Sequence, residues 1–223
     1  MIFKSRKLSS YKTKDRLLYD NQKAIVTDDK GNIIVYSVEN QKIILKYNFY
    51  KKKFRKIKKN LNIIIEKNTI YIGDNFGYLY ALDYATGRLL WAKNYKIPFR
   101  SNLKIIGKKL LIADINNSLY FINKENGEKL KIIPTEETII KNNFINSLAS
   151  NKDSLFYLNT YGSLYHIDSR GVIKWFINLN QSLDINPSNL FYSNPIVLNQ
   201  DKLIVSTDLY LYILDSGTGS IFS

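Results

Sequence analysis

Short apolar runs recur along this chain at near-constant spacing, each closed by an acidic or amide residue. Five copies carry a Tyr with such a residue three positions on: Tyr36 with Glu39, Tyr80 with Asp83, Tyr120 with Asn123, Tyr165 with Asp168 and Tyr212 with Asp215. The intervals between successive Tyr are 44, 40, 45 and 47 residues. The residue before each Tyr is Val35, Leu79, Leu119, Leu164 or Leu211. The runs are five or six residues long and rich in β-branched, Leu and Tyr side chains, which is strand chemistry at strand length. A period near 40–45 residues built only from strand-like segments predicts the blades of a β-propeller.

Each unit predicts four strands. A second apolar run lies upstream, at 23–27, 69–73, 109–113, 154–158 and 202–206. A turn rich in Asp, Asn and Gly separates it from the Tyr run, as in Asp74-Asn75-Phe76-Gly77, and such spacing predicts a hairpin. A second turn, such as Thr86-Gly87 or Thr218-Gly219, leads to a further strand at 88–91, 128–132 or 172–176. Earlier runs at 61–65, 103–106 and 195–198 complete the meander. Leu79, Tyr80, Ala81 and Leu82 put apolar groups on both faces of one strand, as expected where blades stack face to face. No window shows sustained helical spacing. The expected fold class is all-β: an N-terminal tail at 1–15, then five four-stranded blades at about 16–50, 60–96, 101–134, 143–180 and 193–223.

Composition changes this picture little. Lys and Arg number 33 against 19 Asp and Glu, a net charge of +14. Half of that excess lies in Lys51, Lys52, Lys53, Arg55, Lys56, Lys58 and Lys59. Such a run is either a contact for an acidic partner, phosphate or anionic lipid, or a solvated connector between the first two blades. The aromatic-interleaved groove of single-strand nucleic-acid binders is absent, so no nucleic acid is expected. The chain has no Cys, which excludes disulfides and thiolate metal sites, and no run approaches the roughly 18 apolar residues of a membrane span. The first residues, Met1-Ile2-Phe3-Lys4-Ser5-Arg6-Lys7, lack the apolar stretch of a signal peptide.

Residues 81–91 read Ala81-x-Asp83-x-x-Thr86-Gly87-x-x-x-Trp91 and follow Gly77-Tyr78-Leu79-Tyr80. This resembles the tryptophan-docking repeat of quinoprotein-type (PQQ-like) β-propellers, in which Asp and Thr-Gly shape a turn and the Trp packs on the neighbouring blade. Other copies keep parts of it: Asp168 and Trp175, or Asp215, Thr218 and Gly219. The resemblance, over roughly 22–223, is greatest to the BamB family, the non-enzymatic propeller lipoproteins of the outer-membrane β-barrel assembly machinery. It implies an eight-bladed propeller, of which these five blades are an incomplete part; a closed five-blade ring is the alternative. It implies no enzyme activity, no cofactor and no metal, and a position on the periplasmic side of the outer membrane, although the family's signal peptide and lipid-bearing Cys are absent from this chain. The implied partners are the barrel-assembly subunit and nascent outer-membrane proteins, met through inter-blade loops. Carried over residue by residue, the resemblance assigns partner binding to Phe99 and Arg100. It also implies acidic residues on the next such loop, and 141–146 has none.

A fragment of a PQQ-dependent dehydrogenase is the alternative function, but the adjacent-cysteine disulfide of those enzymes cannot exist here. The single His166 occupies a strand position and is expected to be packed there. Asp83, Asp168 and Asp215 recur once per blade, which fits turn residues better than catalytic carboxylates. An incomplete ring would leave two apolar blade faces open, with Ile33, Val35, Leu211 and Ile213 as the exposed residues and the last blade short of its outer strand.

Overall fold

The structure, a computed structural model, describes residues 7–13, 17–50, 54, 56–137, 147–180 and 190–222. It forms two compact units, Met1–Tyr95 and Lys96–Ser223. The first holds two four-stranded sheets: β1 (Leu18–Asp20), β2 (Lys23–Thr27), β3 (Asn32–Ser37) and β4 (Lys42–Asn48), then β5 (Leu61–Glu66), β6 (Thr69–Asp74), β7 (Tyr78–Asp83) and β8 (Arg88–Asn94). The second holds β9 (Lys104–Ile106), β10 (Lys109–Ala113), β11 (Leu119–Asn123) and β12 (Lys129–Ile133), then β13 (Ser147–Ser150), β14 (Ser154–Leu158), β15 (Ser163–Asp168) and β16 (Ile173–Asn178), then β17 (Val197–Asn199), β18 (Lys202–Ser206) and β19 (Leu211–Asp215). Within each sheet, strands adjacent in sequence are adjacent in space, and all pairs are antiparallel. These are β-propeller blades, and no α-helix occurs among the described residues.

The turn residues dictate the meander. Between the second and third strands an Asp or Asn oxygen accepts two backbone N–H groups: Asp74 from Phe76 and Tyr78, Asp114 from Asn116 and Ser118, Asn159 from Tyr161 and Ser163. A left-handed residue then reverses the chain: Gly31, Gly77, Asn117 or Gly162. The next turn is capped the same way, with Asp83 accepting from Ala85 and Thr86 ahead of left-handed Gly87.

Register corrects the first repeat. The third and fourth strands shift register after Ala81, Phe121 and His166, each directly after the repeat Tyr, but after Val35 in the first blade. The residue equivalent to Tyr80 is therefore Ile34, and the first interval is 46 residues. The physical reason is the cap: Ser37, not Glu39, accepts the turn N–H of Asn40.

Blades pack through their middle strands. In the first unit Ile25, Ile33 and Val35 meet Ile70, Ile72, Tyr80 and Leu82, all without exposure. Each such aliphatic side chain contributes about 1.5–3 kcal/mol by burial. Ile33 and Val35 thus lie in the core, not on an open face. They share the strand face that packs on the second blade, and the two-residue shift in register leaves that alternation unchanged. In the second unit Leu111, Leu119 and Phe121 pack on Leu148, Leu155 and Tyr157, and Phe156, Leu158 and Leu164 pack on Leu203, Val205 and Leu214. Leu211 is 63% exposed where its repeat equivalents Leu79, Leu119 and Leu164 are fully buried. The β17–β19 sheet has three described strands, and beyond it Leu214 bridges Ile221. The described part of the expected tail is anchored: Ser9 is buried and donates to Asp28, and Thr13 bridges Asp28.

The docking position opposite the register shift is occupied in every four-stranded blade. Trp175 lies so close over Gly219 that a Cβ there would come within 2.8 Å of its ring, and its indole N–H donates to the Ser216 carbonyl at 3.2 Å. Leu45 takes the same position over Gly87. Lys131 takes it over Gly171, its stem against the glycine and its ammonium donating to the Gly171 carbonyl at 2.6 Å. Trp91 holds the equivalent register opposite Ala81, its ring tilted against Tyr71 of its own blade.

Candidate partner-docking surface

In the second unit, the segment entering the first blade pairs with that blade's hairpin turn. Phe99 bridges Asp114, Arg100 N–H donates to the Ala113 carbonyl at 3.0 Å, and Ile115 N–H donates to the Pro98 carbonyl at 3.1 Å. These bonds draw both sequence-assigned partner residues inward. Phe99 is 3% exposed, edge-on to Tyr120 with ring centroids 5.6 Å apart. Arg100 is 6% exposed, and its guanidinium donates to Asn117 Oδ1 at 3.0 Å. Burial pushes its pKa down, opposed by Tyr157 and Asp114. Burial likewise raises the Asp114 pKa, against the backbone N–H bonds of Ser118 and Asn116.

A residue that sequence reasoning missed completes this rim. Glu136 lies exposed on the connector after β12 with its carboxylate held in place. Oε2 accepts from Tyr165 and Asn159, both at 2.7 Å, and Oε1 accepts from Ser163 at 2.8 Å. Burial alone would raise its pKa, but the bonds from Tyr165, Ser163 and Asn159 hold it below the usual carboxylate range. Glu137 beside it is exposed. The Glu136-Glu137 pair was the available signal: it is the acidic stretch of the connector on which only 141–146 was weighed, and 141–146 lies outside the described residues.

The other residues that the sequence singles out have different surroundings. Asp83, Asp168 and Asp215 sit at turns; hydrogen bonds from the backbone N–H groups of Thr86, Val172 and Thr218 respectively hold their pKa values below the usual range. His166 stacks on Phe156 and meets Trp175 edge-on, with Nε2 2.9 Å from Ser154 Oγ. Of the basic run, 51–53 and 55 lie outside the described residues, and Lys59 is fully buried. Its ammonium donates to the Phe54 and Ile57 carbonyls and lies 5.0 Å over the Tyr50 ring, so this charge is internal rather than solvated. Among the described residues no group of three or more His, Cys, Asp or Glu gathers as a metal site, and no helix is long and apolar enough to cross a membrane.

The family model for outer membrane protein assembly factor BamB matches residues 12–222. The crystal structure of BamB from Moraxella catarrhalis is similar at a TM-score of 0.75 and 15% identity, covering 97% of this chain and 66% of that one. The computationally designed Ika8 protein is similar at a TM-score of 0.67 and 11% identity, covering 93% of this chain and 59% of that one. The chain therefore spans less than two thirds of either. A search of curated proteins finds no match.

Proposed function

Because the chain belongs to the family of outer membrane protein assembly factor BamB, we propose that it is a non-enzymatic propeller scaffold of outer-membrane β-barrel assembly, acting at the periplasmic face of that membrane. It docks the barrel-assembly subunit through the rim formed by Phe99, Arg100 and the connector bearing Glu136 and Glu137. Nascent outer-membrane proteins are its clients. The observation that carries this reading is the family match over 12–222. The geometry supports it: the rim joins two inter-blade connectors into one hydrogen-bonded surface, with an arginine behind it and carboxylates in front. Rigid presentation of the connector lowers the entropic cost of docking.

The test is capture of the purified barrel-assembly subunit by the immobilised chain. Wild type should retain it, and Phe99→Ala, Arg100→Ala and the pair Glu136→Gln with Glu137→Gln should each weaken retention. Unchanged retention in all three would show that the docking surface lies elsewhere. A stoichiometric chromophore bound after incubation with the quinone and Ca²⁺ would instead identify a dehydrogenase fragment.

A further inference from the structure

We propose that Asn117 is the positioning residue of this rim, and that Arg100 acts on a partner through Asn117 rather than by touching it. The proposal rests on the docking function above. In three other blades the left-handed hairpin position is Gly31, Gly77 or Gly162, at φ 82°, 82° and 85°. Here it is Asn117, at φ 64°. Asn tolerates that backbone region, so the substitution costs little, and what it adds is a carboxamide.

That carboxamide is fully engaged and fully buried. Oδ1 accepts from Arg100 at 3.0 Å and from Thr160 Oγ1 at 3.1 Å. Nδ2 donates to the Glu136 carbonyl at 2.8 Å and to Thr160 Oγ1 at 2.9 Å. The Asn117 carbonyl accepts from Thr135 Oγ1 at 2.8 Å and from Tyr157 OH at 3.0 Å. An arginine only donates and a carbonyl only accepts, so the orientation of the amide is fixed by its neighbours. One side chain thus ties Arg100 to the connector, and the connector presents Glu136 and Glu137 to solvent. Arg100, at 6% exposure, offers a partner almost no surface of its own.

Two substitutions separate the roles. Asn117→Gly restores the residue of the other hairpins and removes both links. Asn117→Asp keeps the acceptor for Arg100 but replaces the donor to the Glu136 carbonyl with an oxygen that repels it. The measurements, on the full chain, are amide hydrogen exchange at 135–137 and affinity for the purified barrel-assembly subunit. Exchange across β10 and β11 serves as the folding control. Both Asn117 variants should speed exchange at 135–137 and weaken binding about tenfold, the scale of one lost hydrogen bond. Arg100→Ala added to Asn117→Gly should cost no further affinity. Wild-type affinity in Asn117→Asp, or additive losses in the double variant, would show that Arg100 touches the partner directly and overturn the proposal. Unchanged exchange at 135–137 would overturn it too. If exchange responds as expected and the wild-type chain fails to bind the subunit, the positioning role stands and the docking function falls.

Discussion

Replacing Gly219 by Ala tests whether the docking of Trp175 holds the β17–β19 blade in position. Gly219 has φ 77°, and an added Cβ would lie 2.8 and 2.9 Å from two atoms of the Trp175 ring. The ring is rigid, and it is backed by His166 and Phe156, with centroids 5.5 and 6.1 Å away. The left-handed backbone costs an alanine about 1–2 kcal/mol. Displacing the packed ring adds about 1–3 kcal/mol. Stiffening of the unfolded chain offsets about 0.5 kcal/mol. Gly107→Ala supplies the control, since Gly107 has φ 56° and nothing within 4 Å of its would-be Cβ. The backbone and unfolded-state contributions largely cancel between the two variants, leaving about 2 kcal/mol for the docking contact alone. Urea unfolding followed by Trp fluorescence in a Trp91→Phe background reads Trp175 by itself. Gly219→Ala should shift the midpoint about 1 M further than Gly107→Ala does, at a slope of about 2 kcal/mol/M. Equal shifts would refute the reasoning, because the glycine would then serve its turn and not the indole.

Other expectations follow from buried polar groups. Tyr50 OH donates to Asp74 Oδ2 at 2.5 Å in the first unit. Tyr50→Phe leaves that buried carboxylate oxygen without this donor and should cost about 1–3 kcal/mol in urea unfolding; an unchanged midpoint would show the bond to be immaterial. Burial, then the charge of Lys174, lowers the His166 pKa, opposed by Asp168. The unfolded chain therefore takes up this proton first, so stability is fully present above about pH 6.5 and declines as pH falls below it toward the folded value. His166→Phe should flatten that decline below about pH 6.5, and identical pH profiles would contradict the assignment.

The blades were legible because turn chemistry is local. Asp74, Asp114 and Asn159 cap their own hairpins, so Asp-x-x-Gly and its variants announce the turns wherever the chain runs. The first blade misled for the same reason: Tyr36 and Glu39 imitate the pattern two residues away, while the quieter Ser37 makes the cap. Docking was half visible. Trp175 marks it, but Lys131 does the same work with an aliphatic stem and an ammonium that reaches the Gly171 carbonyl, and nothing in a single lysine signals that. The burial of Phe99 and Arg100 was not legible, because it depends on the hairpin turn of Ala113, Asp114 and Asn117 closing over them. Arg100 reads as a loop residue in the sequence, yet its environment is made by Asn117 and the adjoining hairpin turn. Glu136 shows in the sequence only as half of an acidic pair, because its anchors, Asn159, Ser163 and Tyr165, belong to the following blade.

The central claim is that a rim built on Asn117, Arg100 and Glu136 docks the barrel-assembly subunit. Titration calorimetry of the purified chain with that purified subunit tests it most directly. The account predicts saturable binding by the wild type and about tenfold weaker binding when Glu136→Gln and Glu137→Gln are combined, with cooperative unfolding retained. No binding by the wild-type chain, or the same affinity with and without those two carboxylates, would contradict it.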